Sequence, residues 1–285
     1  MAEKTIRSFD GTKIFYRIVR KKRKKHALIF LHGVGGNWTI WKDELRFFEK
    51  LGYTTIALDL RGHGMSDIDL PDYKFTAQRH IRDIKKIIDE EKIREYIFIG
   101  HSLGGGLSII YCERFKVKRP QAMILIETAY RNPFDKDHEL GLNPYLIKII
   151  KFIVNHEPTK IKHMPHFKEV DYDDVNKKDK WFILLKLLYA TPLRSIMKTL
   201  EGMEKYTGAH MKSMEQTLKR IKMPVLVIGG LKDNTVPPEF SEEIHWLIHN
   251  SKLKLFRKAH HRIPIEDASD LNKIVHQFLN QHHLN

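Results

Sequence analysis

Short apolar runs alternate with amphipathic segments along most of this chain, and this alternation restricts the possible folds more than any other feature. Runs rich in Ile, Val, Phe and Leu that are bounded by turn residues predict buried strands. Between two of these runs, Ile81, Ile84 and Ile88 recur at helical spacing and form one apolar face. Buried strands alternating with such helices predict a mostly parallel sheet covered on both faces. The predicted strands are Ala27–Leu31, Thr54–Leu60, Tyr96–Gly100, Ala122–Glu127, Val225–Gly230 and Leu253–Phe256.

The start of the chain predicts an antiparallel edge to this sheet. The segments KTIRSF and TKIFYRIV surround Asp10-Gly11, a dipeptide that suits the tight turn of a hairpin. The basic run Arg20–Lys25 then separates the second strand-like segment from the third. It predicts either a solvated hairpin turn or a patch for an acidic partner. The turn is favoured because runs of like charge usually stay in water.

Composition limits the location and the partners of the protein. The net charge of +15 is typical of nucleic-acid binders, but apart from Arg20–Lys25 the lysines are spread along the chain, so we expect no nucleic-acid partner. No segment approaches the roughly 18–20 apolar residues of a membrane span, and the first residues lack the apolar core of a signal peptide. A single cysteine, Cys112, suits a reducing compartment. We expect a cytoplasmic protein without stable membrane insertion.

The alternation of strands and helices stops in the middle of the chain. Residues 132–220 have helical patterns throughout, so we predict a helical cap there, inserted into a core formed by residues 1–131 and 221–285. The cap segment is rich in Leu, Ile, Phe and Met. Its apolar faces either line a pocket for a hydrophobic acyl group or pack on the core.

A serine stands in a glycine-rich turn after the third buried run. The residues Gly100-His101-Ser102-Leu103-Gly104 have the form G-x-S-x-G between a predicted strand and a predicted helix, the context of a nucleophile elbow. Glycines two positions either side of Ser102 leave room for so sharp a turn. At a helix start, backbone N–H groups stabilise negative charge. The alternative is a plain glycine-rich turn with an idle serine, and the motif alone does not decide between the two.

A second glycine-rich loop, His32-Gly33-Val34-Gly35-Gly36, follows the strand Ala27–Leu31. Such a loop can turn a backbone N–H toward the serine, and we expect Val34 and Leu103 to supply the two donors of an oxyanion hole. The alternatives are a phosphate-binding loop or a plain turn, but the glycine spacing fits neither G-x-x-x-x-G-K-[ST] nor G-x-G-x-x-G. The neighbouring residues expected to contact substrate are His32, Gly33 and His101.

Two further predicted strands end beside side chains that could assist a serine. Asp233 follows the run Val225–Gly230, at the edge where an α/β sheet gathers its functional groups. An Asp-Asn turn or a helix cap would give the same local sequence. His260 and His261 lie in the loop after the last strand. Ser102, an aspartate and a histidine therefore occur in the chain order of an α/β-hydrolase, each after a predicted strand.

With these motifs the chain resembles the α/β-hydrolase superfamily, and in particular its carboxylesterase- and lipase-like serine hydrolases. The resemblance runs along nearly the whole chain and is weakest in the predicted cap; Asp59–Asp67 (DLRGHGMSD) is another matching piece. It implies a mostly parallel eight-stranded sheet with helices on both faces and an inserted helical cap. It also favours His261 over His260 as the catalytic base, because members carry an acidic residue five positions beyond that histidine, where this chain has Glu266.

The resemblance leaves two positions for the catalytic acid. Some relatives place it after the strand that precedes the cap, where this chain has Glu127. Asp233 is favoured by its G-x-x-D-x-x-V-P context at Gly230–Pro237. The implied triad is therefore Ser102, His261 and Asp233.

The function that this triad implies is hydrolysis of a carboxylic ester, thioester or lactone through an acyl-enzyme, with no metal and no organic cofactor. The expected partner is a small molecule with a hydrophobic acyl group. The alternatives are a C–C bond hydrolase or an aminopeptidase of the same fold, and a hydrolase-like receptor with little turnover. The sequence does not indicate an oligomeric state.

Overall fold

Eight strands form one mixed sheet in the part of the chain that the structure describes. The computed structural model describes residues 1–117, 119–132 and 191–284. The order of the strands across the sheet is β1-β2-β4-β3-β5-β6-β7-β8. The strands are β1 (Ala2–Arg7), β2 (Lys13–Val19), β3 (Ala27–Leu31), β4 (Thr54–Leu58), β5 (Tyr96–His101), β6 (Ala122–Ile126), β7 (Val225–Gly230) and β8 (Ser251–Phe256).

The sheet is antiparallel at one edge and parallel elsewhere. β1 pairs with β2, and β2 with β4, in antiparallel directions. Every other neighbouring pair, from β4 through β3 to β8, is parallel. The predicted hairpin around Asp10-Gly11 is confirmed, with Ile6 opposite Ile14 across it. The predicted fold class, a mostly parallel eight-stranded sheet flanked by helices, is also confirmed.

The prediction of a hairpin turn at Arg20–Lys25 is wrong. β4 lies between β2 and β3, so this basic segment connects two strands that are not neighbours. β3 is buried along its whole length and occupies the middle of the sheet, whereas β2 closes the parallel part with an antiparallel pairing to β4. The basic residues are exposed apart from half-buried Lys24, as expected for a segment that stays in water.

Seven α-helices in the described ranges cover the two faces of the sheet. Side chains along each strand alternate between the faces. In β3, Leu28 and Phe30 pack in the core layer that contains α1 and α7, whereas Ile29 and Leu31 pack in the layer that contains α2 and α3. The helices are α1 (Lys42–Lys50), α2 (Ala77–Glu90), α3 (Leu103–Arg114), α4 (Leu193–Arg220), α5 (Pro238–Leu247), α6 (Ile263–Glu266) and α7 (Ala268–Gln281).

The predicted cap lies mostly outside the described residues. Residues 133–190 carry its other predicted helices, so the boundaries at 132 and 220 stay a prediction. The described part is α4, whose second half packs Met214 and Leu218 in the main core beside α3. Among the described helices, none combines the length and the apolar composition that crossing a bilayer requires.

The apolar face of α2 provides a test of the packing. Ile84 is 1% exposed in the core under this helix. Ile84→Ala is expected to lower the free energy of unfolding by about 2–5 kcal/mol, because it removes buried methyl groups and leaves a cavity. Lys86→Ala, on the solvent face of the same helix, is expected to change it by no more than about 0.5 kcal/mol. Urea unfolding measures both values, and equal shifts would contradict the assigned helix face.

Candidate active site

Ser102 occupies a strained turn between β5 and α3. Its φ is +51° and its ψ is −115°, a conformation that L-residues other than glycine seldom adopt. Its backbone N–H donates to the carbonyl oxygen of Ile126, at the end of the neighbouring strand β6, over 2.8 Å. The serine is thereby held at the carboxyl edge of the sheet, directly before Leu103 begins α3.

Two glycines make this turn possible by allowing backbone segments to approach each other. A β-carbon on Gly100 would lie 2.6 Å from the carbonyl carbon of Gly104. A β-carbon on Gly104 would lie 2.1 Å from the carbonyl oxygen of Leu31 in β3. Both distances are far below van der Waals contact, and the obstructing atoms belong to the backbone. The spacing G-x-S-x-G therefore follows from the packing of the elbow against β3.

The structure brings the three predicted triad residues together. The hydroxyl of Ser102 lies 3.0 Å from Nε2 of His261. On the other side of the ring, Nδ1 lies 2.7 Å from Oδ2 of Asp233. These partners require the tautomer in which Nδ1–H donates to the carboxylate and Nε2 accepts from the serine.

Asp233 is fixed by the turn that follows β7. Its Oδ1 accepts from the backbone N–H groups of Thr235 and Val236, over 2.8 and 2.9 Å, and its side chain is buried. One carboxylate oxygen is therefore bound to the backbone, and the other is left for His261. The adjacent His260 points elsewhere, with Nδ1 2.9 Å from the carbonyl oxygen of Lys232.

Glu127, the other acid considered from the sequence, has a different partner. It directly follows β6 and is fully buried, and its Oε2 lies 3.0 Å from Nε2 of His101. The same oxygen accepts from the backbone N–H of Ile263 over 3.2 Å. The structure therefore places Asp233 on His261 and Glu127 on His101.

His101 and Glu127 form a pair that sequence reasoning missed. His101 was expected to contact substrate, but its side chain is buried and bonded to Glu127. The signal was available, because parallel pairing of β5 with β6 places His101 opposite Ile126, the residue before Glu127. Knowing that the two strands are neighbours was the missing step.

The loop after β3 lies against the elbow. A β-carbon on Gly33 would be 3.2 Å from the β-carbon of Ser102, so Gly33 borders the serine as predicted for a substrate-contacting residue. Val34 is partly exposed beside it. Leu103 is the first residue of α3, and its N–H belongs to the helix start, where backbone donors lack intrahelical partners. The assignment of Val34 and Leu103 as oxyanion donors stays a prediction.

His32 supports this loop from inside the protein. Its Nε2 accepts from the N–H of Leu60 over 3.0 Å, and its Nδ1–H donates to the carbonyl oxygen of Gly33 over 2.7 Å. Burial, together with nearby His63, holds the pKa of His32 well below its usual range, as a bridging neutral imidazole requires. His32 has no exposed surface, and its contact with substrate stays a prediction.

The loop that holds His32 is itself anchored by a buried arginine. Arg61 donates to both carboxylate oxygens of Asp83, over 2.7 and 2.8 Å, and to Asp10 over 3.0 Å. A guanidinium without exposed surface needs such partners, because an unpaired buried charge is strongly destabilising. The segment Asp59–Asp67 is therefore structural.

One group of side chains in the described ranges has a spacing that could hold a metal ion. Ligand atoms of His101, Glu127 and His261 all lie within 4.8 Å of one another. Both ring nitrogens of His261 already bond to triad partners, and Oε2 of Glu127 already bonds to His101 and Ile263. A metal ion there would compete with the triad for His261.

The mostly parallel sheet, with an elbow serine bonded to a histidine and an aspartate from later strands, defines the α/β-hydrolase class. A family model described as "alpha/beta hydrolase fold" matches residues 26–152. This match covers 127 of the 285 residues, and the chain has the α/β-hydrolase fold.

Relatives with several different names share this fold. The chain is 25% identical over 262 residues to protein ABHD8 of Mus musculus, and the match covers 89% of this chain but only 55% of ABHD8. It therefore spans about half the length of that relative. Proline iminopeptidase of Lactobacillus helveticus is 26% identical, with 96% of both chains covered. The esterase EaEST of Exiguobacterium antarcticum superposes with a TM-score of 0.75 at 18% identity, covering 98% of this chain and 100% of EaEST.

The glycine contacts of the elbow can be tested with a matched pair. Gly104→Ala is expected to destabilise the protein by about 1–3 kcal/mol or more, because the new methyl group collides with the Leu31 backbone. Gly208→Ala, in α4 with open space around it, is expected to stabilise the protein by about 0.5–1 kcal/mol. Thermal unfolding of the two variants measures the contrast. Unchanged stability of Gly104→Ala would contradict the close approach at the elbow.

Proposed function

We propose that this protein is a serine hydrolase that cleaves a carboxylic ester, thioester or lactone. The observation that supports this most directly is the continuous chain of hydrogen bonds from Asp233 through His261 to Ser102. The same arrangement activates serine for attack on carbonyl carbon in unrelated folds. The enzymatic role of the three residues is part of this proposal.

In the acylation step, the Ser102 hydroxyl attacks the carbonyl carbon of the ester and His261 accepts its proton at Nε2. Asp233 holds the Nδ1–H side of the ring and stabilises the imidazolium that forms. The carbonyl oxygen becomes an oxyanion, which the N–H groups of Val34 and Leu103 stabilise in this proposal. Removing one such donor typically raises the activation free energy by about 3–4 kcal/mol.

Acylation ends when the bond from the carbonyl carbon to the alcohol oxygen breaks and the imidazolium of His261 gives its proton to the departing alcohol, which leaves the acyl group on Ser102 as an ester. Water then attacks this ester while His261 again accepts a proton. The acid product leaves and Ser102 recovers its hydroxyl. The nucleophile, the base and the charge-stabilising donors all come from the chain, so the proposed reaction requires no cofactor.

The acyl group is proposed to be hydrophobic because apolar side chains of α4 lie against the two segments that flank Ser102, the loop after β3 and the start of α3. Ile196 lies 3.4 Å from the position of a β-carbon on Gly35, in the loop after β3. Met203 lies at the same distance from the corresponding position on Gly106, in the first turn of α3. The proposed partner is accordingly a small molecule with an apolar acyl chain.

A cytoplasmic location stays a prediction.

Replacing the nucleophile tests the proposal. A fluorophosphonate probe is expected to label the wild-type protein, and Ser102→Ala is expected to abolish labelling and to lower kcat for p-nitrophenyl esters by about 10³-fold or more, because no covalent intermediate can form. The matched control is Ser108→Ala: Ser108 donates to Gly104 within α3 and is fully buried. Full hydrolysis by Ser102→Ala would refute the assignment.

A substrate series tests the acyl preference and the alternatives. With p-nitrophenyl esters of increasing chain length, kcat/KM is expected to rise as more apolar surface is buried, by about tenfold for two added methylene groups at about 0.8 kcal/mol each. Hydrolysis of diketones or of aminoacyl amides in preference to every ester would instead favour a C–C hydrolase or an aminopeptidase. A single burst of product followed by a stable acyl-enzyme would favour a receptor.

A further inference from the structure

A second hydrogen-bonded pair lies directly beside the triad, and the proposed reaction does not use it. His101 and Glu127 are joined over 3.0 Å and are 8% and 0% exposed. The centres of the His101 and His261 rings are 5.0 Å apart. This pair is therefore in direct contact with the base of the triad.

Glu127 links the two segments that carry the nucleophile and the base. On one side it follows Ile126, whose carbonyl oxygen accepts from the N–H of Ser102. On the other side its carboxyl group accepts from the N–H of Ile263, two residues after His261 and at the start of α6. The carboxyl group thus connects the elbow to the loop of His261.

The backbone of Glu127 is held in an unfavourable conformation. Its φ is +49°, in the left-handed region, which favours glycine over residues with a β-carbon. Its N–H donates to the carbonyl oxygen of Ile228 in β7 over 2.7 Å. Glycine would adopt this conformation without strain but would lose the carboxyl contacts to His101 and Ile263. Strain of this kind is concentrated at functional sites.

Burial moves the pKa of both members of the pair. Burial raises the pKa of Glu127 well above its usual range, and the Asp233 carboxylate raises it further, with smaller contributions from Glu266 and Asp267. Burial also lowers the pKa of His101 well below its usual range. Both directions favour the uncharged forms of the two side chains beside His261.

We propose that Glu127 is a positioning residue for His261. Through the N–H of Ile263 and through His101, its carboxyl group fixes the loop that presents His261 to Ser102. The inference rests on the proposed serine mechanism. A glutamine with its amide oxygen in the place of Oε2 can accept from the N–H of Ile263 and from Nε2–H of a neutral His101, whereas an alanine can do neither.

The test compares two substitutions at the same position. Glu127→Ala is expected to lower kcat for a p-nitrophenyl ester by about 10–100-fold with KM changed less than about threefold, because His261 loses its alignment while substrate contacts remain. Glu127→Gln is expected to retain kcat within about threefold. The double variant Glu127→Ala, His101→Ala is expected to have a kcat no lower than that of the slower of its two single variants, since the pair acts as a unit.

Glu91→Ala is the matched control for the loss of a buried carboxylate. Glu91 is 4% exposed and bonds to Lys4, Tyr16 and Arg20 at the β1–β2 edge of the sheet. The Glu91→Ala substitution is expected to lower thermal stability and to leave kcat unchanged. If Glu127→Ala lowers only stability, as Glu91→Ala does, or if Glu127→Gln is as slow as Glu127→Ala, the positioning role is refuted.

A spectroscopic readout separates this inference from the proposed function. The proton on Nδ1 of His261, bonded to Asp233, is expected to give a downfield NMR resonance that is absent in His261→Ala. The resonance is expected to persist in Glu127→Gln and Glu91→Ala and to shift or broaden in Glu127→Ala. Absence of phosphonate labelling in the wild type would refute the proposed function alone, whereas an unchanged resonance in Glu127→Ala would refute the positioning of His261.

Discussion

The close contact of the elbow with its two neighbouring strands is the constraint on which the site depends. Gly104 lies against the backbone of Leu31 in β3, and the N–H of Ser102 is bonded to Ile126 in β6. These contacts fix the serine between the central strands, in a conformation that an isolated chain would avoid. The loop after β3, the end of β6 and the loop of His261 are then placed within reach of one hydroxyl group.

The strands and the elbow could be predicted because their signals are local, whereas the choice of His261 over His260 and of Asp233 over Glu127 depended on the resemblance to a known family. Apolar runs identify buried strands, and the turn around Ser102 permits few residue types two positions away. The pairing of strands is not local, and the sequence does not show that β4 separates β2 from β3, so Arg20–Lys25 was wrongly expected to form a hairpin. The bond between His101 and Glu127 was missed for the same reason, because it depends on which strands are neighbours.

Burial separates the residues of the site that reach the surface from those that support it from below. Ser102 and Val34 are partly exposed, whereas His32 and Arg61 have no exposed surface. Both buried groups hold their loops through hydrogen bonds to partners in other segments. The glycine-rich loop His32–Gly36 contains both kinds of residue, since Val34 is partly exposed and His32 is buried beneath it. The packing of the structure, and not the motif, distinguishes the exposed residue from the buried one.

The proposed nucleophile and the proposed base follow strands that differ in burial. Ser102 follows β5, which has neighbours on both sides and is buried throughout, whereas His261 follows β8, an edge strand with half-exposed residues. The two are 159 positions apart in the chain. Edge strands separate from a sheet at lower free energy than central ones. Fraying of β8 would therefore separate His261 from Ser102 while the remaining strands stay folded, and in the proposed mechanism the serine would then lack its base.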